Sequence, residues 1–306
     1  MSYSKQAEAS RSGSSEQPPP YSSVEEVYVG PGQLEAFQSV AAKYEISNLF
    51  ALKLRRLEAY NIVVIADDSG SMRTPTAPGL SVANPYSASA TRWDELKSTV
   101  QTVTEIGSTL DNDGIDVYFL NRPPVRNVIG PSAQLDQIFA IPPQGYTPIA
   151  RVLRQVLNEK WHGIRHEDRK KLLILIATDG EPTTDDGMDD KQGLKQVLIH
   201  ERGARGDVLV TFLACTDDNS EIEYLTLWDK KIPDVDVTDD YLSEKRQIQR
   251  VQGPRFPFSR GDWVCKMFLG GIDREIDSLD EVPKERVRGQ SHGGHSSGRS
   301  KDCIIS

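Results

Sequence analysis

Residues 61–72 read Asn-Ile-Val-Val-Ile-Ala-Asp-Asp-Ser-Gly-Ser-Met, a short apolar run that ends in a polar turn. An uninterrupted apolar run of this length is typical of a strand that is buried on both faces of a parallel sheet. In α/β proteins, ligands bind beyond the carboxyl ends of such strands. The stretch therefore predicts a central strand with a binding loop directly after it.

The loop after this strand carries a carboxylate and two hydroxyls at alternate positions, on Asp67, Ser69 and Ser71. Gly70 allows the backbone to turn tightly between them. Two more segments each place one oxygen side chain at a loop: Thr147 opens a helical run, and Asp179 ends a second buried strand. Magnesium takes oxygen ligands and keeps several waters, and manganese accepts a similar set. The residues therefore predict a site for Mg²⁺ or Mn²⁺.

This arrangement resembles a von Willebrand factor type A domain with an intact metal-ion-dependent adhesion site. The family pattern is Asp-x-Ser-x-Ser, a distant Thr and a Thr-Asp-Gly strand end. In this chain its five oxygen positions are Asp67, Ser69, Ser71, Thr147 and Asp179. The resemblance covers about residues 58–275 and implies a doubly wound, Rossmann-like α/β fold. It also implies that the hydroxyls hold the ion directly, that the carboxylates act directly or through water, and that an acidic residue of a protein partner fills an open metal position.

Strand and helix patterns alternate through the rest of the chain. The predicted strands after the first are 114–120, 125–129, 172–180, 207–214 and an edge strand at 232–237. The predicted helices are one or two within 31–57, then 91–110, 135–139, 147–161 with Thr147 as its cap, 191–202, 221–228, 241–251 and a closing helix at 263–276. Alternating strands and helices indicate parallel pairing with right-handed crossovers, hence a doubly wound sheet flanked by helices.

Composition indicates a globular domain between two polar tails. The 306 residues carry a net charge of −9, which argues against nucleic acid as a partner because phosphate binding needs clustered Lys and Arg. No run is apolar enough to span a bilayer and the N-terminus does not read as a signal peptide, so we expect a cytoplasmic protein. The expected organisation is a disordered tail at 1–30, a helical lead-in at 31–57, the type A domain at 58–276 and a flexible tail at 277–306.

The first tail contains a short proline-rich motif, Pro18-Pro19-Pro20-Tyr21. It resembles the Pro-Pro-x-Tyr ligand of WW domains, in which prolines preset the extended conformation and the tyrosine provides an aromatic anchor. Two interpretations stay open. Pro18, Pro19 and Tyr21 form a ligand for a WW-domain protein such as a ubiquitin ligase, or the segment is simply a proline-rich tail.

The second tail reads Cys303-Ile304-Ile305-Ser306 at its end, which matches the signal for farnesylation of the cysteine. We expect Cys303 to carry a farnesyl group that places the protein on the periphery of a membrane; a chance match is the alternative. One farnesyl chain anchors weakly, so a second contact is needed. Nearby basic residues are few, and a protein partner is the other source of that contact.

Two classes of function remain open on the sequence. In the first, the protein is a metal-dependent binding module, and an adaptor if both tail motifs are used. In the second, it is a metal-assisted hydrolase or phosphotransferase with Asp68 as the only close candidate for a general base. The chain has no other catalytic motif, and His162, His166 and His200 are expected at the surface. The acidic loop 181–190 is interpreted as a solvated loop, with a second cation site as the alternative.

Overall fold

The structure is a computed structural model that describes residues 31–76, 90–111, 113–216 and 219–281, and the side chains of these except at 31–33 and 219–221. Outside the described residues lie the two predicted tail motifs, at Pro18, Pro19 and Tyr21 and at Cys303. The strands are β1 (Tyr60–Ala66), β2 (Ile115–Phe119), β3 (Val125–Val128), β4 (Lys171–Thr178), β5 (Val208–Ala214) and β6 (Val235–Thr238).

The helices alternate with these strands, as predicted. They are α1 (Pro31–Lys43), α2 (Asn48–Leu54), α3 (Arg92–Gly107), α4 (Ala133–Phe139), α5 (Ile149–Leu157), α6 (Lys191–Gln196), α7 (Asn219–Asp229), α8 (Tyr241–Gln252), α9 (Arg260–Leu269) and α10 (Arg274–Asp277). Within the described part of the chain, no helix is long and apolar enough to cross a membrane.

The six strands form one sheet in the order β3-β2-β1-β4-β5-β6. All neighbours pair in parallel except β3, which is antiparallel to β2. The chain leaves β1 for β2 on one side and later returns to add β4 on the other side of β1. This is the strand order of a doubly wound, Rossmann-like sheet, and its switch point lies between β1 and β4. The predicted fold class is confirmed.

Each face of the sheet is covered by helices. Along β1, Ile62 and Val64 point into one hydrophobic core, whereas Val63 and Ile65 point into the other. The first core is closed by α1 to α4 and α8 to α10, and the second by α5 to α7. Because successive side chains of a strand alternate between faces, a strand covered on both sides must be apolar throughout. This explains the continuous apolar run from which the fold was predicted.

The helical lead-in packs into the first of these cores. Phe50 and Leu54 of α2 are fully buried, and the Phe50 ring lies 6.0 Å from that of Phe258. Asp262, which completes a capping box at the start of α9, also accepts a hydrogen bond of 2.7 Å from the backbone N–H of Ser47. The segment before β1 is thus fixed to the helix that closes the domain.

The helix before β4 begins later than predicted. Thr147 was expected to be its cap, but α5 begins at Ile149 and Pro148 occupies the cap position without a side-chain hydrogen bond. Pro148 has φ −76° and ψ 60°, and the N–H of Ile149 donates to the carbonyl of Thr147 at 2.8 Å. This is an inverse γ-turn, which separates Thr147 from the helix.

The predicted closing helix is wrong in its length. Instead of one helix at 263–276, α9 ends at Leu269 and α10 begins at Arg274. The chain turns at Gly270 and Gly271, and the Asp273 side chain then caps α10. The edge strand also differs: β6 begins at Val235 because Asp234, with φ 58°, lies outside the strand conformation.

Candidate metal centre

The two predicted carboxylates lie side by side at the switch point of the sheet. Asp67 directly follows β1 and Asp179 directly follows β4, and the N–H of Asp67 donates to the carbonyl of Ala177 at 3.0 Å. Both side chains are buried, with 0% and 1% of their surface exposed. Parallel pairing of β1 with β4 places the two strand ends at one edge, where α/β proteins bind ligands.

The hydroxyls of the loop after β1 join these carboxylates in one hydrogen-bond network. The N–H of Ser69 donates to Asp67 Oδ1 at 2.8 Å, and Ser69 Oγ lies 3.0 Å from Ser71 Oγ. Ser71 Oγ in turn donates to Asp179 Oδ1 at 2.7 Å. Ser69 is buried whereas Ser71 is exposed, so the network opens to solvent on the side of Ser71.

The loop that carries Thr147 reaches the same place through backbone contacts. Gly70 N–H donates to the carbonyl of Gly145 at 3.1 Å, and Gln144 N–H donates to the carbonyl of Asp68 at 2.7 Å. Gly145 has φ 108°, and a Cβ there would lie 2.4 Å from the side-chain oxygen of Asn121. Only glycine fits this position, because the conformation and the contact both exclude a side chain.

Thr147 itself is buried and is held by a residue that the sequence analysis missed. Its N–H donates to Thr183 Oγ1, and its carbonyl accepts from the N–H of Thr183, both at 2.9 Å. Thr183 belongs to the acidic loop after Asp179, whose Asp185, Asp186 and Asp189 are exposed. Three loops, after β1, before α5 and after β4, therefore meet around the cluster.

Burial of two like charges sets the electrostatics of the cluster. Burial, followed by the charge of Asp179, raises the pKa of Asp67 to about 7, and hydrogen bonds from Ser69 and Thr178 oppose the shift. The contact from Thr178 Oγ1 to Asp67 Oδ2 is 2.6 Å. Holding both carboxylates ionised here is costly without a cation nearby.

Arg92 supplies part of the compensating charge. Its Nη1 donates to Asp179 Oδ2 at 2.9 Å and its Nη2 donates to Thr216 Oγ1 at 2.7 Å, with only 10% of its side chain exposed. Arg92 was not among the residues predicted for the site. Its position in the sequence could have indicated this role. Arg92 is the first residue of α3, and the positive end of a helix dipole disfavours a cation unless an anion lies close by.

Asp68 and Cys215 lie near the cluster but have other partners. Asp68 Oδ1 accepts from the backbone and side-chain N–H groups of Asn121 at 2.8 and 3.0 Å, and its Oδ2 lies 3.2 Å from Arg122 Nε. Burial, together with the charges of Asp179 and Asp67, raises the pKa of the Cys215 thiol, which keeps it protonated.

The donors fit a hard divalent cation. Two carboxylates and neutral hydroxyls are the oxygen ligands that magnesium prefers, and the raised pKa of Asp67 marks negative charge that a cation would stabilise. Elsewhere among the described residues, no three carboxylate, imidazole or thiol side chains are arranged to hold a metal ion. This cluster has two carboxylates, and its other oxygens are hydroxyls.

Comparisons with known proteins add no relative: no protein-family model matches the chain, and no curated protein matches it. The class of protein is therefore assigned from the fold and the site alone. Fold and site together define a Rossmann-like α/β protein with a candidate divalent-cation centre at the switch point of its sheet.

Proposed function

We propose that this protein is a metal-dependent protein-binding module of the von Willebrand factor A type, whose ion binds an acidic residue of a partner. One observation carries the proposal. Asp67, Ser69, Ser71 and Asp179 form a single hydrogen-bonded set at the carboxyl ends of β1 and β4, and the set is open to solvent at Ser71. These are four of the five oxygen positions that the family resemblance implies, and the fifth, Thr147, lies buried on the adjoining loop, held through its backbone by Thr183.

Each residue has a role in this proposal. Ser69, Ser71 and Thr147 hold Mg²⁺ or Mn²⁺ through their hydroxyls, while Asp67 and Asp179 act directly or through water. When bound, the ion supplies an electrophilic position for a carboxylate oxygen of the partner. The protein contributes a fixed arrangement of donors, because hydrogen bonds from neighbouring loops hold them in place.

The charges around the centre favour an anionic ligand. When both carboxylates are ionised, Asp67 and Asp179 contribute two negative charges and Arg92 contributes one positive charge, so the buried set has a net charge of about −1. A divalent cation changes this to about +1. This net positive charge then attracts a carboxylate of the partner, since the protein supplies few anionic ligands that would neutralise the ion.

The tail motifs extend the proposal to an adaptor. Pro18, Pro19 and Tyr21 would present a ligand to a WW-domain protein, and a farnesyl group on Cys303 would hold the protein at a membrane surface. Deletion of 18–21 should then abolish capture by an isolated WW domain, whereas deletion of an equal length of tail at 5–8 should not.

The proposed function is tested in two stages with the full chain. Calorimetric titration with MnCl₂ and with MgCl₂ should show binding to wild type and loss of binding in Asp67→Ala, and circular dichroism should show that the variant remains folded. Proximity labelling in cells should then lose a set of partners in Asp67→Ala but not in Asp168→Asn, which removes an exposed carboxylate from another turn. Absence of metal binding by the folded wild type would refute the proposal.

A further inference from the structure

A second polar cavity lies away from the candidate metal centre. Its volume is about 290 Å³, and it lies beside the amino end of β6, whereas the metal centre lies at the carboxyl ends of the strands. The residues that matter here are Asp229, Asp234, Asp236, Gly270, Gly271 and Asp277. Four of them are aspartates, and Arg274 is the only cationic residue that lines the cavity within the described chain.

Asp236 forms the buried part of this cavity. Only 5% of its surface is exposed, and within the part of the chain that the structure describes its Oδ2 has no hydrogen-bond partner. The carboxylate packs against Gly270, where a Cβ would lie 2.2 Å from Oδ2. The glycine that ends α9 therefore makes room for a carboxylate that no described donor satisfies. A buried, unpaired carboxylate is costly, so its presence points to a cationic ligand.

Lys266, a buried cation close to the cavity among the described residues, is already paired. Lys266 Nζ lies 2.9 Å from Glu244 Oε1 and 3.6 Å from Asp280 Oδ2, and the Lys266 and Glu244 side chains are almost fully buried. Burial raises the pKa of Asp236 to about 7, partly opposed by Lys266, and raises that of Asp229 to about 6, partly opposed by Lys230 and Lys266. The cavity therefore carries negative charge that its own residues compensate incompletely.

Two helix ends add to this negative potential. α7 ends at Asp229 and α9 ends at Leu269, directly before Gly270, so the carboxyl ends of both helices border the cavity. The unpaired carbonyls at a helix carboxyl end carry partial negative charge and favour cations. This contribution comes from the backbone and is independent of the aspartates.

We propose that this cavity binds a primary ammonium group on a short aliphatic chain, with the carboxylate of Asp236 as its main anchor. An ammonium is a compact charge with three donors, which suits a buried carboxylate beside the half-buried Asp229 and Asp234 and the exposed Asp277. The volume lies just below the usual range for pockets that hold drug-sized ligands, which limits the ligand to a small molecule or one side chain. The ammonium group comes either from a free diamine or from a lysine of a peptide.

The test is calorimetric titration of the full chain with two probes, putrescine and an acetylated, amidated Gly-Lys-Gly peptide. Because the ammonium would lose its charge-assisted hydrogen bond to the main anchor, Asp236→Asn should weaken binding at least about tenfold. Asp277→Asn, at the exposed rim, should weaken it less. The matched control is Asp168→Asn, which removes an exposed carboxylate elsewhere and should leave binding unchanged.

The outcomes separate the sources of the ligand. Binding of putrescine alone supports a free diamine, and binding of the peptide alone supports a protein lysine. In both cases Asp236→Asn must lose the binding that wild type shows. Circular dichroism checks the fold of this variant, which removes a charge and keeps the shape of the side chain. Three results would overturn the proposal: neither probe binds folded wild type, binding survives Asp236→Asn, or Mg²⁺ alone displaces the probes.

Discussion

Replacing Ser71 by alanine separates metal binding at the candidate centre from the stability of the fold. The hydroxyl donates to Asp179 at 2.7 Å and lies 3.0 Å from that of Ser69, but the side chain is exposed. In Ser71→Ala, Asp179 keeps its ion pair with Arg92. The metal-free protein should therefore lose only about 1 kcal/mol, the usual net value of one hydrogen bond.

The same change should have a larger effect on the metal. Changes in the residues that only support metal ligands weaken affinity about 10–100-fold, and the loss of a ligand should cost at least as much. A tenfold loss corresponds to about 1.4 kcal/mol. For a domain of this size, 1 kcal/mol shifts Tm by about 2–4 °C, so at one metal concentration the metal-induced rise in Tm should be about 3–6 °C smaller in the variant.

The assay compares thermal unfolding of wild type, Ser71→Ala and Ser98→Ala in EDTA, in MgCl₂ and in MnCl₂. Ser98 is an exposed serine on α3 outside the cluster, so its variant makes the same chemical change as a control. It should keep the full metal-induced shift. If Ser71→Ala and wild type are stabilised equally by metal, Ser71 is no ligand and the reasoning from the hydrogen-bond network fails.

Three further changes test the packing of the fold. Lys266→Met should destabilise the protein by about 3–5 kcal/mol in urea, because it leaves Glu244 buried without its partner; an unchanged midpoint would contradict this. Gly261→Ala should cost about 1–3 kcal/mol, since its Cβ would lie 2.2 Å from the carbonyl oxygen of Tyr44; the free energy of unfolding measures it. Burial raises the pKa of Asp236 from 3.8 to about 7, so between pH 4 and pH 7 the folded state holds a proton that the unfolded state releases. The free energy of unfolding should therefore fall as the pH rises through this interval. Asp236→Asn should remove up to about 4 kcal/mol of that fall, measured by urea unfolding from pH 4 to pH 8.

The central strand and its loop could be predicted because their signals are local. A strand covered on both faces needs an apolar residue at every position, and a turn with Gly70 and two serines has no place inside a strand. The capping box of Thr91 and Asp94 likewise lies within four consecutive residues, and α3 begins directly after Thr91, as predicted. In such cases neighbouring residues in the sequence contain the whole physical cause.

The break between α9 and α10 could not be predicted in this way. The apolar pattern continues from Trp263 to Ile276, as it would in one helix, although Gly270 and Gly271 are visible in the sequence. A Cβ at residue 270 would lie 2.2 Å from the Asp236 carboxylate of β6, so this contact between distant elements requires a glycine where α9 ends. The pairing of Arg92 with Asp179 is of the same kind, because it joins residues on separate elements. Contacts between distant residues decide both features.

The partners of Asp68 bear on whether the centre binds a ligand or catalyses a reaction. A metal-assisted hydrolase needs a group near the ion that can accept a proton from water. Asp68 was the only nearby candidate, but hydrogen bonds from Asn121 and an ion pair with Arg122 already engage its carboxylate. Freeing it to act as a base would leave the buried side of Arg122 without its anion, at a cost in stability. The same groups instead hold the loop after β1 in place, so that Ser69 and Ser71 present their oxygens together. Under the proposed function, Asp68 therefore positions the loop after β1 and does not transfer a proton.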